Sequence, residues 1–214
     1  MGINLDSPPG SWDNIGRWRM FSDGTGCANG NWEIIMALSV VSTDSVPKRA
    51  PIDWAAVQFA QFEHDEKYHR EISRLPMQSR LRHMALHFAK YAGRLHEGLN
   101  DATFKRTAID ALIIAISCAN ILNIDLSARE LDGGQLSRAD FARGLTVAAG
   151  RMAAACERLD HLEDFPFRTA IAGEVIAVLQ ACLCLFAAEG WGATKEMEER
   201  LANIKAKQIF HGKL

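Results

Sequence analysis

Apolar positions recur with a helical period along most of this chain, and the strongest run is Arg106 to Leu126. Ile109, Leu112, Ile113, Ile116, Ala119 and Ile121 return there every three or four residues, and between Ile109 and Leu122 nearly the whole circumference is apolar. Only Asp110, Ser117 and Asn120 interrupt it. An ionised aspartate on such a helix is costly unless something pairs with it, so Asp110 is either satisfied structurally or placed for chemistry.

The same period predicts helices on either side. Pro51 suits a first helical turn, and Ile52, Trp54, Ala55, Phe59, Phe62 and Tyr68 carry a helix to about Ser73, whose second half, EHDEKYHRE, reads as solvated. Pro76 ends it. A second helix runs from about Gln78 to Gly98 on a stripe of Leu81, Met84, Ala85, Phe88, Tyr91, Ala92 and Leu95, and Asn100 or Asp101 can cap the third. Ser137 is the expected N-cap of a fourth helix reaching about Leu159, a fifth spans about Phe167 to Glu189 after Pro166, and Thr194 caps a charged sixth from about Lys195 to Lys207. The expectation is an all-α domain, an antiparallel helix bundle.

Residues 1–50 are a different material. Pro8, Pro9 and a series of glycines punctuate a segment holding Trp12, Trp18 and Trp32, as in loops that pack over a core; Trp32 to Val41 could be a short strand or helix. A repeat divides the remainder. Arg106-Thr107-Ala108-Ile109 opens the third helix and Arg168-Thr169-Ala170-Ile171 the fifth, each preceded by a helix containing Ala-Gly-Arg. Residues 51–132 and 133–214 are therefore expected to be two fused helix-hairpin repeats packed as one globular unit behind an irregular N-terminal segment.

Composition narrows the function classes. A formal charge of −2 gives no overall basic field, so no nucleic-acid partner is expected. The five cysteines are odd in number, lack C-x-x-C spacing and, Cys27 apart, sit in apolar helical runs, which suits reduced core thiols in a cytoplasmic protein. No apolar stretch follows a basic one at the start, and Asp6 stands where myristoylation needs Ser or Thr. Thr169 to Ala188 is long enough to suggest a membrane span, but Glu174 and Gln180 interrupt it, and a buried bundle helix without membrane contact is expected.

His83 to Gly98 (HMALHFAKYAGRLHEG) followed by Arg106 to Leu126 resembles the core hairpin of the MazG-like all-α nucleoside triphosphate pyrophosphohydrolases, which include dimeric dUTPases. Lys90 to Leu95 occupies the place of the family's first acidic segment and Thr107 to Leu112 the second, while Ala119-Asn120 and Asn123-Ile124-Asp125-Leu126 match the remaining motifs in type and spacing. The resemblance covers about a quarter of the chain and implies Mg²⁺ held by two carboxylate pairs, with cleavage of a nucleoside triphosphate between the α and β phosphates. Here the ligand positions read Tyr91, Arg94, Thr107 and Asp110, so three of four acids are missing and Arg94 becomes the expected partner of Asp110.

Two functions follow from the resemblance. One is a degenerate pyrophosphohydrolase in which Asp110 acts with nearby acids such as Glu97, or Glu63 and Glu66, and needs Mg²⁺ when active. The other is a non-catalytic nucleotide-binding or protein-interaction bundle, with Lys90, Arg94, Lys105 and Arg106 meeting phosphates directly, Asn120 reading a base and no cofactor. Nucleoside triphosphates are the expected partners, and pairing of two chains stays open. A relocated transition-metal site from His83, His87 and the acids and histidines of Glu63 to His69 is geometrically conceivable, although polar edges flanking apolar stripes are the expected reading of those residues. No Walker loop or nucleophile elbow is present.

Overall fold

The computed structural model describes Ser11, Trp12, Trp18, Arg19 and residues 51–131 and 134–207. Chain contacts separate Met1–Pro47 from Lys48–Leu214. In the first unit β1 (Ser11–Trp12) pairs antiparallel with β2 (Trp18–Arg19), Trp12 opposite Trp18. Trp32 to Val41 and Cys27 lie outside the described residues.

The second unit is all-α, with seven helices among its described residues. They are α1 (Trp54–Tyr68), α2 (Arg70–Ser73), α3 (Met77–Leu95), α4 (Asp101–Ile121), α5 (Arg138–Asp160), α6 (Phe167–Glu189) and α7 (Ala193–Lys207). α3 packs on α4 and α5, and α6 packs on the same two, closing a ring of four; α1 and α7 both lie against α4. This placement explains why α4 is apolar nearly all round: it meets neighbours on four sides, and Ala108, Ala111, Leu112, Ala115, Ile116, Cys118 and Ala119 are wholly buried. Cys118, Cys156 and Cys182 are buried thiols of this core, and Cys184 is half-buried.

Local chemistry sets the helix ends. Asn100 rather than Asp101 caps α4, accepting from the Thr103 N–H at 2.9 Å, and Ser137 caps α5, accepting from the Asp140 N–H at 3.1 Å. Two starts differ from expectation. α1 begins at Trp54 because Asp53 accepts from the Ala56 N–H at 3.0 Å, leaving Pro51 outside, and α7 begins at Ala193, placing Thr194 inside its first turn. α6 stops where Gly190 takes φ 73°, a left-handed cap any side chain would strain, while the Trp191 N–H returns to the Phe186 carbonyl at 2.9 Å. α6 is the one described helix long and apolar enough to cross a membrane; in the bundle Ile171, Val175, Val178, Leu179, Cys182 and Leu185 are buried in the core.

The largest departure concerns α1. Counting apolar residues predicts that Phe59 and Phe62 face the core and that the EHDEKYHRE half is solvated. The phenylalanines are reversed: Phe59 and Phe62 are 62% and 52% exposed, whereas Gln61 and His64 are 1% and 3% exposed; the rest of the EHDEKYHRE run is exposed or half-buried. The expected continuous helix to Ser73 is also interrupted at His69, which separates α1 from α2. The reversal has a cause in α4, whose side toward α1 carries Ser117 and Asn120 and therefore selects the polar face of its neighbour.

Candidate functional site

Six hydrogen bonds join α1 to the last turns of α4 and the loop beyond. Gln58 donates through Nε2 to Asn120 Oδ1 at 2.9 Å and to the Ile124 carbonyl at 2.8 Å, and its Oε1 accepts from the Leu126 N–H at 2.9 Å. Asn120 Nδ2 donates back to the Gln58 carbonyl at 2.9 Å. One turn along, Ser117 Oγ donates to Asp65 Oδ2 at 2.7 Å, and Gln61 Nε2 donates to Asp65 Oδ1 at 2.8 Å and lies 3.1 Å from Ser117 Oγ. Both oxygens of Asp65 thus hold a donor. Burial still pushes its carboxyl above the usual carboxylate range, with the Ser117 and Gln61 hydrogen bonds opposing.

Beside this seam α1, α2, α3 and α4 enclose a cleft of about 380 Å³. Its walls are mixed: Phe62, Ile72, Met84, Ile114 and Ile121 are apolar, and Asp65, Glu66, His69, Arg80, His83, His87, Ser117 and Asn120 bring polar groups. Arg80 Nη1 donates to the Ser73 carbonyl at 3.0 Å, while its buried Nε has no partner among the described residues. Glu66 lies 4.0 Å from Arg74.

The histidines on α3 follow from an i, i+4 spacing that puts them on one helix face. His87 Nε2 stands 3.1 Å from His83 Nε2, and His87 Nδ1 is 3.1 Å from Tyr91 Oη and 3.2 Å from Lys90 Nζ. An ammonium only donates, so Nδ1 of His87 is the acceptor, Nε2 carries the proton and donates to His83, and His83 holds its own proton on Nδ1. Burial first, then Lys90 and His83, lower His87 to about 4, and burial and Lys90 lower His83, so both imidazoles are neutral at pH 7. Burial and Arg94 in turn lower Lys90, and burial and Asp110 raise Tyr91.

Of the residues singled out in the sequence, Glu66, His69, His83 and His87 line this cleft together, whereas the expected catalytic and phosphate-binding residues do not. Asn120 lines the cleft, but Gln58 already engages both ends of its amide. Lys90 and Arg94 lie on α3 beyond His87, Lys90 exposed with Nζ 4.9 Å over the Tyr91 ring and Arg94 half-buried. Glu97 is exposed past the end of α3, Arg106 is exposed on α4, and Lys105 pairs with Glu196 at 2.6 Å. Asp110, 7% exposed, is held by Arg200 of α7 rather than by Arg94, with Nε to Oδ1 at 2.6 Å and Nη2 to Oδ2 at 3.1 Å. The two-pronged guanidinium reaches it because Arg200 follows Met197 by three residues, on the side of α7 that meets α4. That spacing was the sequence signal for Arg200. Asp65, Arg80 and Ser117 had weaker signals, since each sits in an ordinary polar or helical run.

Among the described residues no three His, Cys, Asp or Glu side chains gather so as to hold a metal ion. The magnesium positions implied by the resemblance do not fit one either: Thr107 donates its hydroxyl to the Thr103 carbonyl at 2.8 Å, Tyr91 turns to His87, and Asp110 is occupied by Arg200. What the cleft can do is hold a small amphipathic molecule against apolar walls and orient it by the carboxyl groups of Asp65 and Glu66, the imidazoles of His83 and His87, and the half-buried guanidinium of Arg80. In comparisons with known proteins, no family model, no curated protein and no solved structure matches the chain.

Proposed function

We propose that this chain is a MazG-like bundle of two fused helix-hairpin repeats, a degenerate pyrophosphohydrolase that binds a nucleoside triphosphate without cleaving it. The observation that carries the reading is the Arg200 clamp on Asp110, the last acid at the four expected ligand positions. A carboxylate with both oxygens on a guanidinium offers nothing to Mg²⁺, and the half-buried cation of Arg94 on α3 disfavours a second positive charge nearby. The fold supports the repeat, because α3 with α4 and α5 with α6 form the two hairpins of one four-helix ring.

In this reading the base enters the cleft, which Phe62 and Ile114 help to wall, and the phosphates extend along α3 past its rim, where Lys90 and Arg94 follow His87. Asp65, Ser117 and Asn120 all line the cleft and all already hold hydrogen bonds across the α1–α4 seam, so base reading by these three requires one of them to exchange a partner.

Isothermal titration with the deoxynucleoside triphosphates, with and without Mg²⁺, tests this. Binding in about the micromolar range, indifferent to Mg²⁺ and without pyrophosphate release, is expected. Absence of heat with every nucleotide sinks the binding, and Mg²⁺-dependent pyrophosphate release sinks the loss of hydrolysis.

A further inference from the structure

The polar groups of the cleft are sorted by wall. On α1, Phe62, Asp65 and Glu66 stand at i, i+3 and i+4 and share one helix face, whose two charged members are carboxyl groups. On α3, Arg80, His83 and His87 stand at i, i+3 and i+7 and share a face as well, which carries the guanidinium. An ionised carboxyl group only accepts hydrogen bonds and a guanidinium only donates them, so α1 offers acceptors and α3 donors. His83 adds a second donor, since its Nε2 accepts from His87 and its proton stands on Nδ1.

Two of these groups have hydrogen bonds still to make. Arg80 uses Nη1 alone, on the Ser73 carbonyl at 3.0 Å, and its Nε–Nη2 edge meets no acceptor among the described residues. Nε is buried, so a ligand reaches that edge through a turn of the Arg80 side chain, and the acceptor it brings satisfies a donor that is costly to leave unpaired. On α1, Asp65 already holds a donor on each oxygen, whereas Glu66 has only Arg74, at 4.0 Å, among the described residues. A forked donor edge and one carboxyl group are thus left for a ligand, within a cleft of about 380 Å³ that has room for a purine.

Of the nucleic-acid bases, guanine alone sets two adjacent acceptors, O6 and N7, on one edge and two adjacent donors, N1–H and the 2-amino group, on the next. Adenine places a donor beside its N7, and each pyrimidine mixes donors and acceptors along a single edge. We infer, resting on the nucleotide binding proposed above, that the cleft selects guanine: Arg80 donates through Nε and Nη2 to O6 and N7, and Glu66 accepts from N1–H and the 2-amino group. Both contacts are charge-assisted and two-pronged, the form that discriminates best between bases. The bond between Gln58 and Asn120 stays intact.

Isothermal titration of the full chain with dGTP, dATP, dCTP and dTTP, and with two analogues, tests the selection. dGTP is expected to bind about thirtyfold tighter than the other three. 7-Deaza-dGTP, which lacks the N7 acceptor, and dITP, which lacks the 2-amino group, each bind about tenfold more weakly than dGTP. Arg80→Lys keeps a cation on α3 but loses the fork, so dGTP and 7-deaza-dGTP bind it alike; Glu66→Gln makes dGTP and dITP alike. The analogue titrations use the unaltered protein and decide the matter even where a variant fails to fold. Equal affinity for all four bases, or analogues that bind as tightly as dGTP, overturn the inference and leave nucleotide binding in place. Absence of heat with every nucleotide overturns both.

Discussion

α4 meets its neighbours through two different kinds of junction. Toward α3 and α6 it is dry and close-packed, with Leu112, Ile116 and Ala115 fully buried in the same core cluster as Phe88 of α3 and Leu179 of α6. Toward α1 it is a ladder of hydrogen bonds between Gln58, Gln61 and Asp65 on one side and Ser117, Asn120 and the Ile124 to Leu126 backbone on the other. Apolar packing supplies most of the free energy but tolerates small slips, whereas a polar ladder adds little net energy and fixes one register. The difference identifies α1 as the element whose position is specified rather than strongly held, and the cleft opens along that side.

The largest test contrasts two phenylalanines. Phe88→Ala removes a wholly buried ring and is expected to cost about 4 kcal/mol in urea denaturation, while Phe59→Ala, on the exposed face of α1, costs under about 0.5 kcal/mol in dilute solution. Equal costs would mean that α1 belongs to the packed core after all. Next comes Arg200→Ala, which leaves a buried carboxylate on α4 without its partner and is expected to cost about 3 kcal/mol. Replacing both ends, Asp110→Leu with Arg200→Met, recovers most of that loss. A cost under about 1 kcal/mol for Arg200→Ala would show that Asp110 is free to bind something else.

These contrasts also explain what could be read in the sequence. The order and extent of α3 to α6 were legible because apolar residues recur there at a helical period, the stripe of α3 also gave its facing, and Asn100 and Ser137 marked two starts. The facing of α1 was not, because it depends on Asn120, 62 residues away from Gln58, and an apolar count assumes that the greasier side turns inward. Asp110 was legible as a charge that needs a partner; Arg200, 90 residues later, was closer to hand in the fold than Arg94. The cleft was legible in part: Glu66, His69, His83 and His87 could be grouped from the sequence, but the run Asp65 to His69 has the composition of a solvated surface, which favoured the blander reading.

Acid should act on the polar junction before the dry one. His64 is 3% exposed, both ring nitrogens lack partners among the described residues, and burial, then His69 and Lys205, hold it near pH 4 instead of 6.5. The folded value lies below the unfolded one, so the unfolded chain takes the proton first. Stability from this group is full above about pH 6.5 and is lost as the pH falls toward 4, by roughly 3 kcal/mol at most. His87 adds in the same window, and Asp65 acts in the opposite sense because its raised carboxyl makes the folded state keep a proton longer. Denaturation midpoints between pH 7 and 4 should therefore fall in the wild type and fall less in His64→Phe. An identical slope in both would place the acid sensitivity elsewhere.

The smallest effect is the most specific. Gln58→Ala leaves the Asn120 amide, the Ile124 carbonyl and the Leu126 N–H without their side-chain partner, at an expected cost of about 2 kcal/mol. The loss should be local: hydrogen exchange quickens across α1 and the Ile124 to Leu126 loop while amides in the middle of α6 keep their protection. Asn120→Ala alone should cost a similar amount, and the double variant clearly less than the sum, because the two side chains bond one another. Additive costs would mean that each amide is satisfied independently, and α1 would then be held by its few packed side chains instead of by the ladder. A coupled loss confined to α1 would instead show that the polar junction can open while the dry junctions stay closed, giving a ligand access to the cleft without unfolding the bundle.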